Sequence, residues 1–360
     1  MSRTTLVLLL VLVAVGCAPT HDSLVRREPG LHRVLRLEGE SLPSRTVIAN
    51  TKGDGSRAVR VVVEEIGRHR SDRVVVLLHG AFSSRTTWRY LAGDLGQDHD
   101  LLLVDLPGCG ESDRPAGTGL RPGEYAPSIL ARRVLEATRP LVLGRSERPR
   151  VTLVGHSLGA AVALQIVGDP TLRVEFSQVL DQIDGVVLIA PLDLDLTEVD
   201  PQFVSLATVD GMFVAFASFF GILDERVARA IRRSADRHDV AFLEDASEKI
   251  RILSEWRRRQ AAQAILRDAV PFRDGRPDAE ALTRLTVNYA RVDRPVLIIQ
   301  GEQDDIIPVE RSRALASKLH HASIVELPGA RHSPHIGHVL ECGELIRLFS
   351  LGAWRADPSP

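Results

Sequence analysis

Short apolar runs alternate with longer amphipathic or alanine-rich stretches from Val74 to Pro191. That rhythm predicts a parallel β-sheet with crossover helices. Val74–Leu78, Val186–Ala190 and Val296–Ile299 are wholly apolar, and Val151–Val154 is nearly so. Such runs fit strands covered on both faces. Ser323–Leu327 is a shorter candidate, and Thr46–Ala49 and Ala58–Glu65 come before the main series, separated by the turn-rich Lys52-Gly53-Asp54-Gly55-Ser56. Leu158–Val167 is alanine-rich and apolar, the composition of a buried helix. The helix expected before the Val151 strand carries Pro140, so a kink or break is predicted there.

The alternation stops after Pro191. Residues 193–287 form an insert far longer than a crossover needs, helical in composition and rich in arginine. Within it, Met212–Leu223 is almost wholly apolar, and Phe213, Phe216 and Phe220 share one helical face. That face is either the insert's own core or an apolar wall for a substrate. The resulting division is 1–16 as signal peptide, 17–43 as tether, 44–192 as the first part of a core, 193–287 as a helical cap and 288–355 as the rest of the core.

Chemistry enters at the strand ends. Gly155-His156-Ser157-Leu158-Gly159 lies between the Val151 strand and the apolar helix. A serine on so tight a turn stands exposed above a sheet, and the glycines let the backbone pass closely. A nucleophilic serine needs a base and a group that orients the base. Gly301-Glu302-Gln303-Asp304-Asp305 follows one strand, and Pro328-Gly329-Ala330-Arg331-His332 follows the next. Asp305, or Asp193 and Asp195 after the Val186 strand, are alternative acids. His332, His335 and His338 recur every three residues, which could suggest a metal, but Pro334 and Gly337 interrupt a regular helix there, and neither metal nor cofactor is expected.

With these motifs the chain resembles the α/β-hydrolases over about residues 58–195 and 288–350. His79-Gly80-Ala81-Phe82 with Trp88, and Asp105-Leu106-Pro107-Gly108-Cys109-Gly110-Glu111-Ser112-Asp113, are similar to that family's oxyanion segment and the loop after its fourth strand. Cys109 and Arg331 depart from the usual pattern. The resemblance implies an α/β fold with a mostly parallel sheet of about eight strands flanked by helices, and a helical cap inserted after strand six. It implies Ser157 as nucleophile, His332 as base and Asp304 as its orienting acid, with the amides of Ala81 and Leu158 at the oxyanion. Phe82, Phe213, Phe216 and Phe220 are candidate substrate contacts. The expected activity is hydrolysis of carboxylic esters with apolar acyl groups. Lipase, thioesterase, carbon–carbon hydrolase and acyltransferase chemistry share the same residues. A non-catalytic envelope lipoprotein on this fold is the reading from another class.

Composition narrows the partners. A net charge of -2 and 26% charged residues give no electrostatic case for nucleic acid. Met1-Ser2-Arg3, the apolar run Leu6–Val15 and Gly16-Cys17 have the layout of an export signal, and the run is too short to span a bilayer comfortably. Val13-Ala14-Val15-Gly16-Cys17 resembles a bacterial lipoprotein box, with Ala14 where leucine is usual. That predicts lipidation of Cys17, a membrane anchor, and a cell-envelope location, the outer membrane where there are two membranes. A soluble secreted or periplasmic protein is the alternative. Cys109 and Cys342 are expected as separate thiols. Oligomeric state has no signature.

Overall fold

The computed structural model describes residues 42–354 except 54–57, 68–70, 115–122, 146, 196–255, 271, 274–275 and 305. Cys17, the export signal, and Phe213, Phe216 and Phe220 lie outside the described residues.

Eight strands form one sheet: β1 (Ser44–Thr51), β2 (Val59–Ile66), β3 (Arg73–Leu78), β4 (Asp100–Asp105), β5 (Arg150–His156), β6 (Ile183–Ile189), β7 (Val296–Gly301) and β8 (Ala322–Leu327). Their spatial order is β1-β2-β4-β3-β5-β6-β7-β8. β2 runs antiparallel to β1 and β4, and the other pairs are parallel. The helices used below are α1 (Arg89–Leu95), α2 (Pro127–Leu143), α3 (Leu158–Gly168), α4 (Trp256–Ala269), α5 (Ala279–Thr286), α6 (Val309–Lys318) and α7 (Val339–Ser350).

The apolar runs are explained by a core on each face. Val74, Val76 and Leu78 point into a cluster with Leu130 and Val134 of α2 and Val162 and Ile166 of α3. Val75 and Leu77 point the other way, onto Leu91 and Leu95 of α1 and Cys342 and Ile346 of α7. The period-two alternation of side chains divides one run between two cores, so neither face can turn polar. Replacing a fully buried leucine such as Leu77 by alanine would cost about 2–5 kcal/mol.

Pro140 does not break its helix. α2 continues to Leu143, and Gly144 N–H bonds to the Pro140 carbonyl at 3.0 Å. The missing Pro140 amide costs one bond near the helix end, while the buried Val142 holds the last turn against the core. Of the insert, α4 and α5 are described. Ala261, Ala264 and Ile265 of α4 join the larger core, and Leu282 of α5 packs with Ala161 and Leu194. Cys109 and Cys342 are buried thiols that do not bridge to each other.

Candidate active site

Parallel order brings the carboxyl ends of β3, β5, β6, β7 and β8 to one edge of the sheet, where ligands bind in open α/β folds. Backbone strain gathers there too. Among the described residues, three non-glycine residues have positive φ: Phe82 at 56°, Ser157 at 50° and Ala190 at 42°. They follow β3, β5 and β6, which are neighbours in the sheet. Left-handed conformations in such residues persist only where their surroundings over-determine them. At Ser157 the restraints are visible: its N–H donates to the Ile189 carbonyl at 2.9 Å, and its carbonyl accepts from Leu192 at 3.2 Å.

Sequence dictates this turn. A Cβ at Gly155 would overlap the Gly159 carbonyl, and one at Gly159 would overlap the Leu78 carbonyl. Glycine at both positions therefore lets α3 start directly above β3 and β5. Leu158 is the first residue of α3, so its amide has no acceptor within that helix and lies at the positive end of the helix dipole.

Asp304 sits on the turn after β7 with a fully buried side chain. One carboxylate oxygen, Oδ1, accepts the amides of Ile306 and Ile307, each at 2.9 Å. The other, Oδ2, accepts His332 Nδ1–H at 2.9 Å and Gln300 Nε2–H at 3.0 Å. Burial would raise this carboxyl's pKa. The hydrogen bond and charge of His332, with the Ile307 and Ile306 amides, outweigh it, and the net shift is downward. Asp304 is therefore held as a carboxylate. His332, on the loop after β8, is mostly buried, while Arg331 is exposed. With Nδ1–H given to Asp304, Nε2 of the neutral ring is left as an acceptor.

The alternative acids are placed differently. Asp193 pairs with Lys318 Nζ at 3.0 Å, and Asp195 pairs with the same ammonium at 2.8 Å. Asp305 lies outside the described residues. Of the recurring histidines, His335 is buried against Trp88, with ring centroids 4.7 Å apart. Among the described residues no group of three or more His, Cys, Asp or Glu could hold a metal ion.

The segment after β3 is secured from behind. His79 Nδ1–H donates to the Gly80 carbonyl at 2.7 Å, and its Nε2 accepts the Leu106 amide at 3.1 Å. Arg85 binds Asp105, Glu64 and Glu111, and its amide donates to Asp105 Oδ1 at 2.7 Å. Ala81 and Phe82 lie between these two anchors.

Two further residues support the site, and of these Gln300 escapes sequence reasoning. Gln300 is fully buried, and its Oε1 accepts the Ser312 hydroxyl at 2.6 Å, which turns the amide nitrogen toward Asp304. Its one sequence signal is a polar residue ending an apolar strand. His156 is the other: its Nε2–H donates to the His332 carbonyl at 2.8 Å.

Comparisons with known proteins agree with the fold. The model of the alpha/beta hydrolase family matches residues 75–341. A pimeloyl-[acyl-carrier protein] methyl ester esterase of Xanthomonas campestris is 26% identical over 281 residues, covering 76% of this chain and 94% of that protein. A 3-hydroxybutyrate-oligomer hydrolase of Cupriavidus necator is 23% identical over 288 residues, 76% of this chain and 87% of the relative. Among solved structures, a thermophilic esterase from Thermogutta terrifontis superposes with a TM-score of 0.61 at 20% identity, covering 86% of this chain and 99% of that one. The chain belongs to the alpha/beta hydrolase family.

Proposed function

We propose that this protein is a serine hydrolase of carboxylic esters that works through an acyl-enzyme on Ser157. The observation that carries the reading is the Asp304–His332 hydrogen bond of 2.9 Å, at the same sheet edge as a strained serine turn. His332 Nε2 takes the Ser157 hydroxyl proton as the oxygen attacks the acyl carbon. The tetrahedral oxyanion is met by the Ala81 and Leu158 amides. His332 then returns the proton to the leaving alcohol. Water repeats the cycle in reverse roles and releases the acid. Asp304 keeps the imidazole in the required tautomer and stabilises its charged form. The family match and the ester-cleaving relatives support the reaction class.

An apolar acyl group is the favoured substrate feature, with Phe82 beside the serine turn and the Phe213, Phe216 and Phe220 face of the insert as its wall. A panel of p-nitrophenyl esters of graded acyl length tests both parts. Wild type should hydrolyse the panel with kcat/KM rising with acyl length, and Ser157→Ala should lose nearly all turnover. Equal turnover by Ser157→Ala would refute the nucleophile; preference for acetate over longer chains would refute the apolar wall. Lipidation of Cys17 is proposed as the membrane anchor, since stable anchoring takes two or more acyl chains. Cys17→Ala should release active protein into the soluble fraction, and membrane retention of that variant would contradict the anchor.

A further inference from the structure

His156 is the last residue of β5 and the covalent neighbour of Ser157. Its ring is buried and touches two separate segments, the one after β8 and the one after β3. Toward the loop after β8, Nε2–H donates to the backbone carbonyl of His332 at 2.8 Å, and the two imidazole centroids lie 5.0 Å apart. Three residues beyond His332, the ring of His335 packs at a tilt against that of His156, centroids 4.4 Å apart, and against Trp88 at 4.7 Å. His335 Nε2 also bonds the Thr87 hydroxyl at 3.0 Å, which ties these rings to the segment after β3. On the remaining side, a Cβ at Gly80 would come within 2.8 Å of His156 Nδ1 and 3.1 Å of Ser157 Cβ, so only glycine lets that loop approach.

Two side-chain hydrogen bonds bear on the reach of His332 toward Ser157, beside the Gln303 amide that holds the Ala330 carbonyl at 2.9 Å. Asp304 sets the rotation of the ring through Nδ1. It does not set where the backbone bearing that ring stands relative to the β5 turn. The His156–His332 hydrogen bond does, because its donor belongs to the residue next to the serine and its acceptor to the residue carrying the base.

We propose that His156 is a positioning residue for the reaction: through its bond to the His332 carbonyl it holds the base at working distance from Ser157, with His335 as the packed support behind it. This rests on the Ser157–His332 reading above. Proximity supplies much of catalysis, and a misplacement of about 1 Å can cost roughly a hundredfold in rate. A flat ring suits the gap between Gly80 and His335, and a nitrogen donor at its far edge completes the bond.

Two substitutions separate bonding from packing. His156→Phe keeps a flat ring against His335 and loses the donor. His156→Gln keeps a donor of similar reach and loses the ring. With a short p-nitrophenyl ester, His156→Phe should lower kcat about 10- to 100-fold with KM within about twofold of wild type. The rate of fluorophosphonate inactivation should fall by the same factor. His156→Gln should recover most of that loss, even if its melting temperature is the lower of the two. Wild-type kcat in His156→Phe would overturn the proposal. So would losses that follow the melting temperatures instead of the donor. If wild-type protein is not inactivated by fluorophosphonate, the underlying serine-hydrolase reading fails instead. Inactivation at Ser157 that His156→Phe leaves unslowed defeats the positioning role alone.

Discussion

Asp193 and Asp304 are both buried carboxylates, and they follow neighbouring strands, β6 and β7. Their surroundings differ in kind. Asp193 receives an ammonium from Lys318 at 3.0 Å and the Asp195 amide at 2.9 Å. Asp304 receives two backbone amides, the Gln300 amide and His332. A permanent cation neutralises Asp193 and locks it into structure. Neutral donors stabilise Asp304 as an anion while leaving its charge for the imidazole. Under the proposed mechanism, position after a strand does not by itself select the orienting acid; the carboxylate that meets the imidazole is the one not paired with Lys318.

The sharpest way to break this contrast is to neutralise each carboxylate in turn. Asp304→Asn should lower kcat by about 10³–10⁴, since the amide would favour the wrong imidazole tautomer. Asp193→Asn should leave kcat within a few-fold of wild type. Steady-state kinetics on one ester reads both, and a comparable fall in the two variants would erase the distinction.

Stability should show the reverse order. Lys318→Met strands a buried Asp193 charge. Breaking a fully buried pair costs about 3–5 kcal/mol, and because Lys318 is 31% exposed the expected loss is smaller, about 1–3 kcal/mol in urea unfolding. Turnover of the folded enzyme should be nearly unchanged. A stability within about 0.5 kcal/mol of wild type would mean that the ion pair is not structural.

The two regions should also fail at opposite ends of the pH scale. Burial raises the Asp304 carboxyl's pKa, but His332 and the two amides bring it below its ordinary value, so more protons bind in the unfolded state. Its contribution is present above about pH 4 and is lost as pH falls through the folded value. For Lys318, burial lowers the pKa, but the hydrogen bonds and charges of Asp195 and Asp193 raise it overall. That contribution is complete below about pH 10.5 and is lost as pH rises through the folded value. Melting curves should thus show the Asp304→Asn deficit shrinking in acid and the Lys318→Met deficit shrinking in alkali. Parallel curves over both ranges would contradict the assignment.

The smallest effect is expected behind the acid. Gln300→Met removes one of four donors to Asp304 and orphans the Ser312 hydroxyl. Turnover should fall about 3- to 10-fold with KM unchanged, roughly the net worth of one ordinary hydrogen bond. A loss as large as that of Asp304→Asn would make Gln300 more than a support.

What the chain reveals on its own follows the same division between local and distant causes. The strands β3, β5 and β7 are readable because burial on both faces leaves a continuous apolar run. The Ser157 turn is readable because glycines at 155 and 159 are required by atoms a few residues away or one strand over. The motifs carrying His332 and Asp304 are readable at the ends of the last two strands, but the choice of Asp304 over Asp193 lies in distant partners, His332 for one and Lys318 for the other. Gln300 is not, because its role depends on Ser312 of α6 packing behind the next turn. The spacing of His335 from His332 gives no sign of its contacts with Trp88 and His156, because both rings reach it from other parts of the chain. Pro140 misled for a related reason: the pull of the core on Val142 is invisible in a helix propensity.

The central claim is that one serine, on the turn between β5 and α3, is the nucleophile. Labelling the folded protein with a fluorophosphonate and mapping the modified peptide by mass spectrometry measures that directly. A single stoichiometric adduct on Ser157, slowed by at least a hundredfold in Asp304→Asn, is the predicted result. An adduct on another residue, or none on folded protein, would contradict it.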